Sequence, residues 1–255
     1  MGKFITIHSF KGGTGKSYLS VNLSTIYALR GKKIALLDLD FRAPTLYEVF
    51  GNNSSKCYIN DVLDGTAAIE DCLVDCSSKI ENRGKLYVAF ADFTTDAIRE
   101  MVSKGRRWEI EALRRLLMLR KKLVDDLQFD YVIADTSPGI LYLSINAVVA
   151  ADIAVVVSTL DDSDINGTER MLRELYEIFE KKTFVVVNKA IGLQNEEKQK
   201  IIENLGKKYR TSIIGVLPCI CDVGALKRST ILAIKNPNHP FIKMIEDIAT
   251  KIENA

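Results

Sequence analysis

The chain has few of the features that mark a membrane-spanning, secreted or fibrous protein. No uninterrupted apolar run reaches the about 18 residues that a transmembrane helix requires, and the sequence enters a strand at once. We therefore expect neither a membrane span nor a signal peptide. The five cysteines are irregularly spaced and odd in number, which indicates reduced thiols rather than a disulfide framework. With no internal repeat or low-complexity linker, these absences favour a cytoplasmic protein with one domain over residues 1–255.

The chain also has almost no excess of charge of either sign, since its net charge is only +2. This gives no strong indication of nucleic acid or a membrane as partner. The 255 residues are 47% hydrophobic, which is ample for a large core. Apolar runs rich in β-branched residues alternate with helical patterns, as in a parallel sheet covered on both faces. We therefore predict a single three-layer α/β domain with a mostly parallel, twisted sheet of about seven to eight strands. The predicted strands are residues 4–8, 33–38, 86–90, 130–135, 153–158, 183–188 and 212–216.

Two regions between these strands carry further predictions. Residues 51–85 are expected to form an irregular connection with a short helix. Residues 107–127 predict a helix with one aliphatic side, formed by Leu113, Leu116, Leu117, Leu123, Val124 and Leu127. Its basic residues should face solvent, and contact with a partner or DNA is the alternative. These basic residues are Arg114, Arg115, Lys121 and Lys122.

A glycine-rich segment follows the first predicted strand and precedes a predicted helix over about residues 16–30. Glycines allow backbone N–H groups to surround a phosphate chain, and the helix directs its positive N-terminal end at the same anion. Lys16 is placed to reach the β- and γ-phosphates, and the Ser17 hydroxyl to ligate Mg²⁺. The segment therefore predicts that a nucleoside triphosphate binds with Mg²⁺. The expected nucleotide-binding residues here are Lys11, Gly12, Gly13, Thr14, Gly15, Lys16, Ser17 and Tyr18.

The segment departs from the ordinary P-loop because Phe10 stands where that pattern has glycine, and Lys11 adds a second lysine. In this form it resembles the deviant Walker A motif of the MinD/ParA ATPase superfamily. The resemblance implies a dimer that sandwiches ATP, in which Lys11 reaches the neighbouring subunit's nucleotide. A positive charge there suits the charge that develops on transferred phosphoryl oxygens. The resemblance thus implies catalytic roles for Lys11 and Lys16.

Acidic residues end two further predicted strands. Asp38 and Asp40 point to the same side of an extended segment, and residues 36–46 resemble the Walker A′ motif of this superfamily. The resemblance implies that Asp38 belongs to the magnesium and P-loop network. It also implies that Asp40 is catalytic because it orients or activates the attacking water. Residues 135–139 resemble switch II, which implies that Asp135 holds Mg²⁺ through water and that the Gly139 N–H lies near the γ-phosphate.

The last predicted strands carry expectations about the base. The resemblance implies that Asn188 hydrogen-bonds adenine and that Pro218 lies beside the base. Guanine-specific relatives have an aspartate three positions after the asparagine, where this chain has Ile191, so the sequence favours ATP over GTP. After Pro218 the chain also departs from its relatives, which often continue with an acidic or aromatic residue where this chain has Cys219.

The resemblance spans nearly the whole chain and implies an ATP-dependent switch that forms a homodimer with ATP. Slow hydrolysis, stimulated by a regulatory protein, would reopen the dimer. Its role would be the positioning or partition of DNA, a cellular structure or a protein complex. Nonspecific DNA binding stays open. The final helix has an apolar stripe with mixed charges beside it, which indicates packing in the core rather than a membrane anchor.

Two other kinds of function also stay open. Cys219 and Cys221 are spaced as Cys-x-Cys and could hold a soft metal across a dimer, which would suit a metallocluster or metalloenzyme maturation factor. An enzyme that uses ATP to modify a small molecule, as the related dethiobiotin synthetase does, is the third possibility. Lys11 favours the dimer switch over that third possibility.

Overall fold

The computed structural model describes residues 2–51, 55–81, 83–192, 194–220 and 229–255. Strands and helices alternate along these residues. The strands are β1 (Lys3–His8), β2 (Lys33–Leu39), β3 (Leu73–Asp75), β4 (Lys85–Ala89), β5 (Tyr131–Thr136), β6 (Ile153–Ser158), β7 (Lys182–Ala190) and β8 (Ser212–Pro218). The helices are α1 (Lys16–Leu29), α2 (Leu46–Phe50), α3 (Ile59–Asp64), α4 (Ile69–Cys72), α5 (Thr95–Ser103), α6 (Arg106–Lys121), α7 (Tyr142–Ala150), α8 (Asp162–Met171), α9 (Asn195–Tyr209), α10 (Leu232–Lys235) and α11 (Pro240–Glu253).

Within the described residues, eight strands form one sheet in the order β3-β4-β2-β5-β1-β6-β7-β8. All neighbouring strands run parallel except β3, which pairs antiparallel with β4 at the edge. Both β5 and β6 are buried along their whole length, as continuous apolar strands require. The prediction of a mostly parallel sheet between helical layers is confirmed. All seven predicted strands are present, and β3 is the strand that the sequence did not indicate.

Helices cover both faces of the sheet, and neighbouring strand residues enter opposite cores. Ile5 of β1 belongs to the core beneath α1 and α11, whereas Phe4 belongs to the core beneath α3, α6 and α7. Another cluster on that second face joins β6 and β7 to α8 and α9. The carboxyl ends of the central strands therefore meet at one edge between these layers, where parallel sheets bind ligands.

Helix α11 packs into the core with one apolar side. Phe241, Ile245, Ile248 and Ile252 are each at most 4% exposed, and the Tyr27 hydroxyl donates to the Ala249 carbonyl at 3.0 Å. The stripe is thus a packing surface, as the sequence indicated. In the described part of the chain, no helix is both long and apolar enough to cross a bilayer.

Helix α6 differs from its prediction at two positions. It ends at Lys121, and a π-helical turn over 122–126 continues it. Leu117, expected on the buried side, is 45% exposed. Arg115, expected in solvent, donates to the Leu63 carbonyl, and its guanidinium would lie 2.8 Å from a Cβ on Gly65. The position of Arg115 arises because α3 packs against this helix, which periodicity alone does not reveal, and nothing in the structure explains the exposure of Leu117.

The region 51–85 contains more structure than the predicted short helix, and it corrects the expectation of reduced thiols. In addition to α3, α4 and β3, a 3-10 turn covers Ser77–Ile80. A disulfide joins Cys57 to Cys72, with their Cα atoms 4.9 Å apart. Cys76 is a buried free thiol and Cys219 an exposed one. The two paired cysteines meet because α3 and α4 fold back on one another.

The disulfide closes a loop with a sequence separation of 15 residues, for which chain entropy gives about 3 kcal/mol of stabilisation. We expect Cys57→Ser to lower the free energy of unfolding by about this amount without reductant, measured by guanidinium denaturation. Under dithiothreitol the variant should match the wild type. Cys219→Ser is the matched control and should leave stability unchanged. Alkylation of both Cys57 and Cys72 in the native, unreduced protein would contradict the pairing.

Candidate functional site

The glycine-rich loop connects β1 to α1 at the carboxyl edge of the sheet. Gly13 and Gly15 have φ of 74° and 92°, a left-handed conformation that favours glycine. The loop forms one wall of a cleft of about 450 Å³, a size that suits a polyphosphate. The cleft residues are Ser9, Gly12, Gly13, Thr14, Gly15, Lys16, Ser17, Tyr18, Asp40, Arg42, Ala43, Thr45 and Pro138. The predicted loop residues therefore share one cleft with Asp40, except Lys11, which lies outside it.

Lys16 lies between two carboxylates at the base of this cleft. Its Nζ is 3.4 Å from Asp135 Oδ1 and 3.7 Å from Asp40 Oδ2, and its side chain is 7% exposed. Ser20 donates to Asp135 Oδ1 at 3.0 Å, and Ser137 donates to Asp40 Oδ1 at 2.7 Å. The fold thus brings three predicted site residues, from α1, from the segment directly after β2 and from β5, into one buried charged cluster.

Asp38 has a different environment from Asp40, although both end the same strand. Its carboxylate accepts the backbone N–H groups of Asp40 at 3.2 Å, Thr45 at 3.3 Å and Leu46 at 3.2 Å. Burial, and secondarily the charge of Asp135, raise the pKa of Asp38 to about 8. Burial also raises the pKa of Asp40, against the opposing effect of Lys16. Asp38 therefore organises the backbone after β2, while Asp40 faces the cleft.

The cleft has the polar groups that a hydrated Mg²⁺ with phosphates would use. Asp38, Asp40 and Asp135 are three buried acidic side chains, and the Lys16 ammonium group contacts Asp40 and Asp135. Asp135 Oδ2 and Thr14 Oγ1 are buried without a hydrogen-bond partner. Across the described residues, no three His, Cys, Asp or Glu side chains are grouped as a metal site. A cation bound with phosphate in this cleft would take a hydroxyl, phosphate oxygens and water as ligands, which suits Mg²⁺.

Asn188 lies near the end of β7, is buried, and contacts the glycine-rich loop. Its Nδ2 donates to the Thr14 carbonyl at 2.8 Å, and a Cβ on Gly15 would lie 2.3 Å from that nitrogen. Pro218 ends β8 and pairs with Ala190 of β7. The roles of Asn188 and Pro218 at adenine stay predictions. Cys221, the second residue of the proposed thiol pair, lies outside the described residues.

Lys11 forms an ion pair that the sequence did not indicate. Its Nζ lies 2.6 Å from Asp161 Oδ1, and both side chains are exposed. Asp161 also accepts the Asp164 N–H at 3.1 Å and so caps the start of α8. The hydrogen bond from Lys11 lowers the pKa of Asp161 to about 2. The sequence signal was available, since Asp161 follows β6 just as Asp40 and Asp135 follow or end their strands.

Switch II is anchored to the start of the loop. Gly139 has φ of 85°, and its N–H donates to the Ser9 carbonyl at 2.9 Å. The residue after Ser9 is Phe10, and its ring packs on α8, where a Cβ on Gly167 would lie 2.0 Å from the phenyl ring. The N–H predicted to lie near the γ-phosphate is therefore bonded within the protein.

Comparison with known proteins gives consistent relatives. The family described as AAA domain matches residues 2–211. An uncharacterized ATP-binding protein of Methanocaldococcus jannaschii is 29% identical over 252 residues, 98% of this chain and 88% of that protein. The septum site-determining protein MinD of Thermotoga maritima is 27% identical over 99% of this chain and 88% of its own length. The sporulation initiation inhibitor protein Soj of Bacillus subtilis is 30% identical over 68% of this chain and 64% of its own.

Solved structures show the same fold. MinD of Pyrococcus horikoshii, complexed with Mg-ADP, superposes with a TM-score of 0.78 at 20% identity, covering 99% of this chain and 96% of that one. The MinC:MinD cell division complex of Aquifex aeolicus gives a TM-score of 0.77 at 24% identity, covering 100% and 96% of the respective chains. At these identities the likeness supports the fold.

Proposed function

The chain belongs to the AAA-domain family within the MinD/ParA superfamily of P-loop ATPases, and from this premise we propose that it is an ATP-driven molecular switch. It binds Mg²⁺ and ATP in the cleft between the glycine-rich loop and Asp40, hydrolyses ATP slowly, and forms a homodimer in the ATP state. One observation carries the proposal: the buried Lys16 ammonium lies between Asp40 and Asp135 at the base of a phosphate-sized cleft.

Each group at the cleft has a role that its position supports. Lys16 would exchange its carboxylate contacts for the β- and γ-phosphates, and the loop N–H groups would bind the same oxygens. Ser17 would ligate Mg²⁺, and Asp135 would reach it through water. Bound Mg²⁺ would neutralise charge on the phosphates. Asp38 would contribute by holding the backbone that places Asp40.

Asp40 is the group best placed to act on the attacking water. It faces the cleft, and Ser137 and Lys16 hold one carboxylate oxygen each. A raised pKa brings this carboxylate closer to that of an effective general base. The lysine contact would be released when Lys16 turns to phosphate, which would free Asp40 for the water.

Lys11 would serve the neighbouring protomer. Unlike Lys16, it lies outside its own cleft on an exposed surface, where Asp161 holds it in this state. In the ATP state it would reach the partner's phosphates and stabilise the transferring charge there. A regulatory protein would stimulate hydrolysis. The MinC:MinD complex of Aquifex aeolicus shows that a relative binds a partner protein.

These relatives support ATP-dependent positioning or partition as the biological role. We propose that the protein acts in the cytoplasm and that residues 1–255 form its one domain. The cargo would be a cellular structure, a protein complex or DNA. Nonspecific DNA binding is tested with Asp40→Ala, which we expect to stay in the ATP-bound dimeric state. Cys219 is an exposed free thiol, and because Cys221 lies outside the described residues, the metallocluster function stays an alternative prediction.

We expect Lys11→Ala to retain ATP binding but to weaken ATP-dependent dimerisation on the order of 100-fold or more. Two symmetry-related charged contacts are lost, and each charge-assisted hydrogen bond is worth about 1.5–3 kcal/mol. Sedimentation velocity with a slowly hydrolysed ATP analogue measures the effect. Asp161→Ala is the matched control, since it removes the same ion pair but keeps the lysine, and it should dimerise at least as well as the wild type. Wild-type dimerisation by Lys11→Ala would contradict the role of Lys11.

A further inference from the structure

His8, the last residue of β1, is a buried polar side chain to which the switch mechanism above gives no role. It is fully buried directly before the glycine-rich loop. Its Nε2 lies 2.9 Å from the Gly139 carbonyl oxygen, and its Nδ1 lies 2.6 Å from the Tyr176 hydroxyl. The imidazole therefore joins switch II to the π-helical turn (Leu172–Tyr176) that continues α8.

The two partners of the ring fix the tautomer of its neutral form. A carbonyl oxygen only accepts, so Nε2 carries the proton and donates to Gly139. In a neutral imidazole Nδ1 is then an acceptor, and it accepts a hydrogen bond from the Tyr176 hydroxyl. Burial, with Lys16 adding to it, lowers the pKa of His8 to about 4 against the Gly139 hydrogen bond. The ring is thus neutral at physiological pH, and its tautomer is specified by two contacts.

Gly139 is held by both of its backbone polar groups. Its N–H donates to the Ser9 carbonyl at 2.9 Å, and its carbonyl accepts from His8. Both partners lie at the end of β1. To bind a γ-phosphate, the Gly139 N–H must leave Ser9, and the bond from His8 opposes that movement because it fixes the neighbouring peptide group.

We propose that His8 is a positioning residue that acts through Gly139 and stabilises switch II in its resting orientation, so that it sets how strongly the protein distinguishes ATP from ADP. This inference rests on the proposed function as an ATP switch. An apolar side chain of similar volume would fill the same space, but burying the Gly139 carbonyl and the Tyr176 hydroxyl without partners is unfavourable. The imidazole satisfies both groups and couples them.

Two substitutions separate the hydrogen bond from packing. His8→Met has similar volume and no donor, whereas the amide of His8→Gln carries a donor at a similar reach to Nε2. We expect His8→Met to bind a non-hydrolysable ATP analogue about three- to tenfold more tightly, the worth of one net hydrogen bond, with ADP affinity unchanged. His8→Gln should restore the wild-type ratio. Calorimetry measures both affinities, and thermal unfolding verifies that each variant is folded.

The outcomes distinguish this inference from the proposed function. An unchanged ratio in folded His8→Met, or an equal change for ATP analogue and ADP, would overturn the role of His8 while the ATP switch stands. Absence of any nucleotide binding by the wild type would overturn both.

A measurement on the wild type does not depend on how the variants fold. The chain contains only two histidines, His8 and His239, so ¹⁵N-histidine NMR resolves each ring. We expect His8 to be the neutral Nε2–H tautomer without nucleotide, with a shift of its Nε2 resonance on adding the ATP analogue and a smaller one with ADP. An Nδ1–H tautomer, or equal responses to the two nucleotides, would refute the proposal, and His239 serves as the internal reference.

Discussion

Replacing Lys16 with alanine should abolish measurable ATP binding, with a loss of affinity of at least about 100-fold. The substitution removes the buried ammonium group that would contact the β- and γ-phosphates. It also leaves Asp40 and Asp135 facing the incoming phosphates without the cation that separates them now. Both effects oppose binding of an anion, so they act in the same direction. Calorimetric titration with ATP and Mg²⁺ measures the result.

The control for Lys16→Ala must show that any loss comes from this site. Lys207 is an exposed lysine of α9 outside the cleft, and Lys207→Ala should bind ATP as the wild type does. Because the buried carboxylates lose their counter-charge, we also expect Lys16→Ala to unfold at a lower temperature, so binding is measured well below that transition. An affinity within about threefold of the wild type would refute the assignment of Lys16.

Replacing Asp40 with alanine should lower the rate of ATP hydrolysis about 100- to 10,000-fold, the usual contribution of a general base. ATP should still bind, because Lys16 and the loop are retained and one buried negative charge is removed. The variant should therefore accumulate as an ATP-bound dimer. Phosphate release under saturating ATP gives the rate, and light scattering gives the mass of the trapped species.

Ser137→Ala is the matched control for Asp40→Ala. It removes the 2.7 Å hydrogen bond to Asp40 Oδ1 but keeps the carboxylate. We therefore expect a smaller loss of rate, with no trapped dimer. If Asp40→Ala hydrolyses ATP at the wild-type rate, Asp40 does not act on the water, and another group at the cleft must.

The fold and the cleft could be predicted because their signals are local. Strands that are buried on both faces must be apolar throughout, so β5 and β6 are visible as short continuous runs. Parallel strands place their carboxyl ends at one edge, and this rule alone predicts that Asp40 and Asp135 lie beside the loop. The glycine-rich loop adds a fixed spacing around Lys16 that the phosphate chemistry requires.

Other features depend on contacts between distant segments and left no local pattern. The pairing of Cys57 with Cys72 follows from the way α3 and α4 pack, and β3 is only three residues long. Arg115 has the spacing of a solvent-facing residue, yet α3 offers it the Leu63 carbonyl. Asp161 carried a weak signal at the end of β6, but its partner Lys11 lies 150 positions earlier in the chain. Helix periodicity and motif spacing give no information about such pairs.

In the proposed switch, the two lysines of the loop act on different nucleotides: Lys16 contacts the nucleotide of its own protomer, and Lys11 contacts that of the neighbouring protomer. A crystal structure of Asp40→Ala grown with ATP and Mg²⁺ tests it most directly. We expect a two-fold dimer in which each Lys11 has left Asp161 and contacts the partner's phosphates. A nucleotide-bound monomer with Lys11 still on Asp161, or a cleft that binds no nucleotide, would contradict it.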